Sequence, residues 1–230
     1  MRLDKYVSES GVFSRKEIKK LIKSGCVTVN SLPAQKAEQQ VIPGNDIISV
    51  NGQIISYSEY EYYLLNKPAG YVSATKDNVY PTVLELIDSK RASLSPVGRL
   101  DVDNEGLLLI TNDGMLSHEM LSPKKHVEKT YYAQIDGIVT DEDVDRFSRG
   151  IDIGDDRPTL PARLEILGTD TDSGTSEINL TITEGRYHQV KRMFESSGKK
   201  VTYLKRISFG PLMLPPDLKT GDFIRIDKPL

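Results

Sequence analysis

The chain has 230 residues, 38% hydrophobic and 27% charged, the composition of an ordinary globular protein with one or two domains. No apolar run exceeds four residues, and the first eleven carry Asp4 and Glu9, so neither a membrane span nor a secretory signal is expected. One cysteine, Cys26, and three scattered histidines exclude a disulfide framework and a structural zinc, and they fit a reducing cytoplasm.

The net charge of −3 hides a split. Residues 1–58 hold 8 Lys+Arg against 5 Asp+Glu, and the rest hold 22 against 28. Phosphate binding follows local charge, so the short basic segment outweighs the acidic average. A polar, tyrosine-rich stretch from Ser56 to Glu61 lies where the sign changes. It is read as the linker between a domain over 1–58 and a second over 59–230.

In chain order, Ser14-Arg15-Lys16-Glu17 reads as a capping box that starts a helix. At 100° per residue, Leu21, Ile18 and Ile22 fall at about 240°, 300° and 340°. Arg15, Lys19, Lys23, Lys16 and Lys20 fall between 0° and about 140°. One face packs and the other is uniformly positive, whereas a merely solvated face usually mixes signs. Gly25 suits the helix end. Val27-Thr28-Val29 and Asp46-Ile47-Ile48-Ser49-Val50 then read as short strands, with a turn at Asn30-Ser31.

This order resembles the small RNA-binding domain named after ribosomal protein S-four. Arg2-Leu3-Asp4, Ser14-Arg15, Leu21-Ile22 with Gly25 and Val27-x-Val29-Asn30, and Gly44-x-Asp46-x-Ile48 carry the likeness. Ser31 departs from the glycine usual after that asparagine. The resemblance implies that the helix contacts structured RNA through Arg15, Lys16, Lys19, Lys20 and Lys23.

Beyond the linker, strand-like and helix-like stretches mix without regular alternation. Arg163 to Ile166 and Ile178 to Ile182 alternate as strands. Helices are expected after Thr140, with Val144 and Phe147 on one side, and from His188, with Val190, Met193 and Phe194 buried and Gly198 as a stop. The mixture predicts an α+β domain with a largely antiparallel mixed sheet. Nucleotide-cofactor and serine-hydrolase fingerprints are absent.

The densest acidic spot is Gly98-Arg99-Leu100-Asp101-Val102-Asp103-Asn104-Glu105-Gly106. As a calcium loop it places Asp101, Asp103 and Glu105 at ligand positions, but Asn112 stands where a bidentate glutamate is needed. A plain acidic turn is a second reading. A third pairs Asp101 with Arg99 and with the distant basic cluster Glu184-Gly185-Arg186-Tyr187-His188-Gln189-Val190-Lys191-Arg192-Met193-Phe194. A carboxylate between cations stays ionised and can act as a nucleophile without metal or base. Sequence alone shows no such contact.

Four ordered blocks resemble the RNA pseudouridine synthases. They are Leu65-Asn66-Lys67-Pro68-x-Gly70, Pro96-Val97-Gly98-Arg99-Leu100-Asp101 with Gly106 to Gly114, Glu128-Lys129-Thr130-Tyr131, and the 184–194 cluster. The last block beside an S-four-like domain most resembles the RsuA-like branch, which acts on 16S ribosomal RNA. The resemblance implies isomerisation of uridine to pseudouridine: the glycosidic bond breaks, the base turns, and carbon 5 bonds to the same ribose. No redox step or group donor is required, so no cofactor is implied. The partner is ribosomal RNA or an assembling small subunit, and no membrane is involved.

The resemblance makes Asp101 the catalytic aspartate, acting at ring carbon 6, at the 1′ carbon or on the 2′ proton. Tyr131 matches the tyrosine that stacks on the flipped base, and Lys191 the basic partner of the aspartate, with Arg192 as its rival. Arg99 is assigned to opening the stack or filling the vacated place, and Arg186 to the substrate. Lys67 beside Pro68 reads as an exposed turn residue, His188 as a hydrogen-bonded helix start, and Asp103 and Glu105 as loop-shaping or solvated. A paralogue acting on 23S ribosomal RNA and a non-catalytic ribosome-assembly protein stay open as alternatives. Retention of Asp101, Tyr131 and Lys191 favours the enzyme.

Overall fold

The computed structural model describes residues 1–89 and 93–229. These form two compact units, Met1–Glu61 with Ile87–Leu94, and Tyr62–Leu86 with Ser95–Leu230. The expected division was contiguous, whereas the smaller unit also takes in Ile87–Leu94, where the Ser89 hydroxyl donates to Glu61 at 3.4 Å.

The smaller unit opens with α1 (Leu3–Glu9), which periodicity did not signal because the helix is only seven residues long. Leu3, Tyr6 and Val7 are its buried face, and Arg2 pairs with Asp4 at 2.8 Å. That pairing holds the Asp4 carboxyl below the usual range. Next comes α2 (Arg15–Lys23), with the expected capping box complete: Glu17 N–H donates to Ser14 Oγ, and Ser14 N–H donates to Glu17 Oε2 at 2.7 Å. Ile18 and Ile22 are buried, while Arg15, Lys16, Lys19, Lys20 and Lys23 are all exposed. A four-stranded antiparallel sheet follows, made of β1 (Val27–Val29), β2 (Leu32–Pro33), β3 (Ile48–Val50) and β4 (Gln53–Ile54). Asn30 and Ser31 both have positive φ (51° and 68°), so the turn keeps its tight left-handed form although serine replaces glycine. Asn30 stabilises it, donating to Asp46 at 2.8 Å and accepting from Ile47 N–H at 2.9 Å.

The larger unit is built on a nine-stranded mixed sheet. Its elements are β5 (Tyr62–Lys67), β6 (Ser95–Val97), β7 (Glu105–Thr111), α3 (Gly114–Leu121), β8 (Lys129–Asp136), α4 (Asp141–Ser148), β9 (Arg163–Asp170), β10 (Thr175–Ile182), α5 (Gln189–Glu195), β11 (Lys200–Phe209), β12 (Leu212–Met213) and β13 (Phe223–Ile226). The order is β13-β5-β7-β11-β8-β10-β9, with β6 on β7 and β12 on β11. Every pairing is antiparallel except β7 with β11. The Leu107 to Ile110 run is fully buried in β7, an interior strand between β5 and β11. Val190, Met193 and Phe194 of α5 pack with Phe147 of α4 against β8 and β10, as their spacing predicted. Among the described residues, no helix is long and apolar enough to cross a membrane.

The single parallel junction sets a local constraint. Gly106 pairs with Arg206 and has φ +104°, and a Cβ there would lie 2.3 Å from the Arg206 carbonyl oxygen. Only glycine lets the two backbones approach so closely. Gly106→Ala should therefore cost about 2–4 kcal/mol, from overpacking and backbone strain together. Urea unfolding checks this, and a midpoint equal to that of the parent chain would show that the junction opens without penalty.

Candidate active site

Residues 98–104 turn from β6 into β7, and the turn is closed by Asn104 N–H on the Asp101 carbonyl at 3.1 Å. The Asp101 carboxylate gathers its contacts on one oxygen. Its Oδ2 accepts from Asn104 Nδ2 at 3.1 Å and faces His188 Nε2 at 3.6 Å and Lys191 Nζ at 3.8 Å. Its Oδ1 has no hydrogen bond among the described residues, and the side chain is 32% exposed. One oxygen is thus held while the other has no hydrogen-bond partner among the described residues.

The loop is held from beneath by Lys67. Because β5 is buried along its whole length, its last residue ends inside the protein and not on an exposed turn, contrary to the expectation from Pro68. Lys67 Nζ donates to the carbonyls of Asn104 at 2.7 Å and of Asp101 and Pro68 at 3.0 Å. Burial pulls its pKa down from 10.5 to about 8, against the attraction of Asp103, Asp101 and Glu105. Ser73 adds a second clamp, donating to the Leu100 carbonyl at 2.9 Å and accepting its N–H at 3.0 Å. Gly70 N–H donates to the Val102 carbonyl at 2.7 Å.

The 184–194 cluster divides into two roles. Lys191 reaches the acidic loop, donating to both oxygens of Asp103 at 2.8 and 2.9 Å while standing near Asp101. Burial opposes ionisation of Asp103, but the hydrogen bond and charge of Lys191, with a backbone N–H and the charge of His188, together hold that carboxyl below its ordinary range. Asp103 is therefore paired, not merely solvated. Arg192, the rival for this place, instead pairs with Asp155 and donates to the Ile153 carbonyl. Arg186 is likewise committed within the fold, to Glu184 at 3.1 Å, Asp155 at 3.3 Å and the carbonyls of Arg157 and Pro158 at 2.7 Å. Its geometry is that of a clamp on the neighbouring loop, with four of its five N–H donors engaged there. His188 is the N-cap of α5, yet its side chain makes no capping bond. Its φ is +48°, and the imidazole is turned to Asp101.

Tyr131 lies on β8, buried in the same apolar cluster as Leu100, the residue before Asp101. It pairs across the sheet with Arg206, which is fully buried. Burial draws the Arg206 guanidinium below its ordinary value, and the adjacent Tyr131 hydroxyl opposes the shift. Tyr132, on the opposite face, packs edge-on against Tyr203. Tyr203 donates to Glu105 at 2.7 Å while Asp101 and Asp103 share Lys191, and among the described residues no three His, Cys, Asp or Glu side chains gather as a calcium loop would require. Arg99 is exposed two residues before Asp101.

With this geometry in view, comparison with known proteins decides the family. A model of the RNA pseudouridylate synthase family matches residues 61–196, more than half the chain, and one of the S4 domain matches residues 1–48. The chain belongs to the RNA pseudouridine synthase family. It is 44% identical to an uncharacterized RNA pseudouridine synthase of Bacillus subtilis (strain 168), over 97% of this chain and 93% of that one. It is 38% identical to ribosomal small subunit pseudouridine synthase A of Escherichia coli (strain K12), over 97% and 95%. A crystal structure of a pseudouridylate synthase superposes over 99% of this chain and 96% of that one, with a TM-score of 0.68 and 37% identity. The synthase unit therefore has the fold expected of it, and RNA is the substrate class.

Sequence reasoning assigns no role to Ser73 or Asn104, puts Lys67 outside, and takes His188 as a helix start without its contact to Asp101. A signal existed for Lys67 alone, a lysine closing the apolar run Tyr62-Tyr63-Leu64-Leu65. Lys67→Met should leave the Asn104 and Pro68 carbonyls without their Lys67 donor, at about 1–3 kcal/mol each, and the Asp101 carbonyl with the Asn104 N–H alone. Turnover should then fall far more than RNA affinity. In the parent chain, the pH dependence has a definite sign. Above about 8 the folded chain sheds the Lys67 proton while the unfolded chain keeps it to about 10.5. This group thus makes stability rise with pH across that window, yet a neutral amine has only two N–H donors for three carbonyls. Turnover should decline through about pH 8 with no matching drop in the urea midpoint. Loss of both together would show that the decline is unfolding.

Proposed function

We propose that this chain isomerises a uridine of small-subunit (16S) ribosomal RNA to pseudouridine, with Asp101 as the nucleophile and the target base turned out of its stack. The observation that carries the reading is the partly exposed Asp101 carboxylate, one oxygen unbonded and the other faced by Lys191 and His188, on a loop fixed by Lys67. The small-subunit target rests on the E. coli relative, which matches over nearly its whole length. This reading places the enzyme in the cytoplasm with its substrate.

The reaction conserves every atom of the nucleotide. The N1–C1′ bond breaks, C5 bonds to C1′, the C5 proton leaves, and N1 ends protonated. Asp101 Oδ1 supplies the electron pair that starts this sequence, at C6 of the base or C1′ of the ribose, and the same oxygen is the base for a 2′ proton in the third route. Lys191, held by Asp103, keeps positive charge beside the carboxylate as RNA excludes water. Tyr131 offers its ring to the extruded base. Extrusion costs a few kcal/mol in lost stacking and pairing, and exposed Arg99 takes the vacated place. The α2 lysines bind phosphate by charge, releasing counterions. Arg186 is given no substrate role, because four of its five donors are already spent on the fold.

Asp101→Asn keeps size and hydrogen bonding but removes the nucleophilic charge. It should abolish tritium release from carbon-5-labelled uridine while RNA binding persists, and near-normal turnover would sink the assignment. Mapping pseudouridines in ribosomal RNA from cells with and without the gene locates the target. A site lost from 23S RNA instead of 16S RNA would move the enzyme to the other subunit. Separately, changing Lys19, Lys20 and Lys23 to Gln should lower the slope of log affinity against log salt by about 2. An unchanged slope would mean that this face does not meet RNA.

A further inference from the structure

The turn entering α5 displays an aromatic ring that the reaction scheme leaves unused. Tyr187 is 76% exposed, and its ring lies on the His188 imidazole with centroids 3.8 Å apart and planes 19° from parallel. That imidazole in turn stands 3.6 Å from Asp101. One face of the tyrosine is therefore covered by a ring that touches the nucleophile's site, and the other is open.

The display is built, not incidental. His188 holds φ +48°, a left-handed conformation unfavourable for a residue other than glycine, which persists only where the surroundings enforce it. Here they do. Arg192 Nη1 donates to the Tyr187 carbonyl at 3.1 Å, and Arg192 N–H to the His188 carbonyl at 3.0 Å. The Gln189 side chain accepts from Arg186 N–H at 3.0 Å, and Arg186 and Arg192 both anchor on Asp155. The two arginines thus fix the turn that presents the ring.

We infer that the open face of Tyr187 is a stacking subsite for a nucleobase of the substrate RNA, one neighbouring the extruded uridine, with His188 as its backing ring. Unpaired bases are commonly bound by stacking on aromatic side chains, and every base has a face to offer. A nucleotide next to a base drawn toward Asp101 has lost a stacking partner, and Tyr187 stands where it can replace that contact. The subsite contributes binding and not sequence choice. This inference rests on the RNA pseudouridine synthase reading of the site.

The chain contains no tryptophan, so Tyr187→Trp places a single indole at the subsite. The probe is transcribed small-subunit ribosomal RNA carrying carbon-5-tritiated uridine, used with the full chain. Saturating RNA should quench the indole emission, and Tyr187→Trp and Tyr187→Phe should keep KM within about twofold of the parent chain. Tyr187→Ala should raise KM about tenfold, with a smaller change in kcat and an unchanged thermal midpoint. Emission indifferent to saturating RNA, or a parental KM in Tyr187→Ala, would overturn the subsite. A loss confined to kcat would also overturn it, by moving the ring from binding to chemistry. The emission reads stacking even where no tritium is released, so failure of the enzyme reading and failure of the subsite are distinguished.

Discussion

A lysine ammonium removed from water and surrounded by backbone carbonyls shapes the synthase unit. Lys67 is 0% exposed, and its three donors reach Asn104, Asp101 and Pro68. A buried charge is tolerable only when hydrogen-bonded throughout, and carbonyls that face inward need donors for the same reason. Each side of the contact thus makes the other affordable. The result is a loop whose backbone is fixed from inside, so that the Asp101 carboxylate can be exposed without being mobile. Ser73 and Gly70 reinforce the same loop through Leu100 and Val102.

Around that loop, positive charge is distributed by function. Lys191 spans Asp103 and Asp101, whereas Arg186 and Arg192, five and one positions from it in sequence, are spent on Asp155 and on carbonyls. The guanidinium's fork of fixed donors suits a clamp with several acceptors, and the single ammonium suits a site that must leave room for substrate. The parallel junction of β7 with β11 makes a comparable division. Gly106 allows the backbones to touch, and Arg206 then donates to the Leu107 carbonyl at 2.8 Å, lies with its guanidinium 4.8 Å from the Phe209 ring, and stands beside Tyr131.

Local signals explain what could be read before the structure. The capping box at Ser14 and Glu17, the phase of Ile18 and Ile22, and the α5 spacing of Val190, Met193 and Phe194 are interactions within a few residues, and each element forms where they place it. The seven residues of α1 are too few for the same periodicity to register. In the site, Asp101 and Lys191 stand together as the motif resemblance implied, but Lys191 makes its hydrogen bonds to Asp103. The proline beside Lys67 suggests an exposed turn that the packing overrides, whereas His188 does start its helix but turns its imidazole to Asp101 instead of making a capping bond.

The sequence by itself determined the elements, the basic face of α2, the family likeness and the identity of the acidic loop, because these depend on residue order, periodicity and local charge. Only the tertiary structure decided that Lys191 makes its hydrogen bonds to Asp103 while Arg186 and Arg192 turn to Asp155, that Lys67 is inside, and that His188 turns its imidazole toward Asp101. Those outcomes depend on contacts between positions as distant as Asp101 and Lys191, and on the desolvation that packing imposes. Neither quantity exists until the chain has folded.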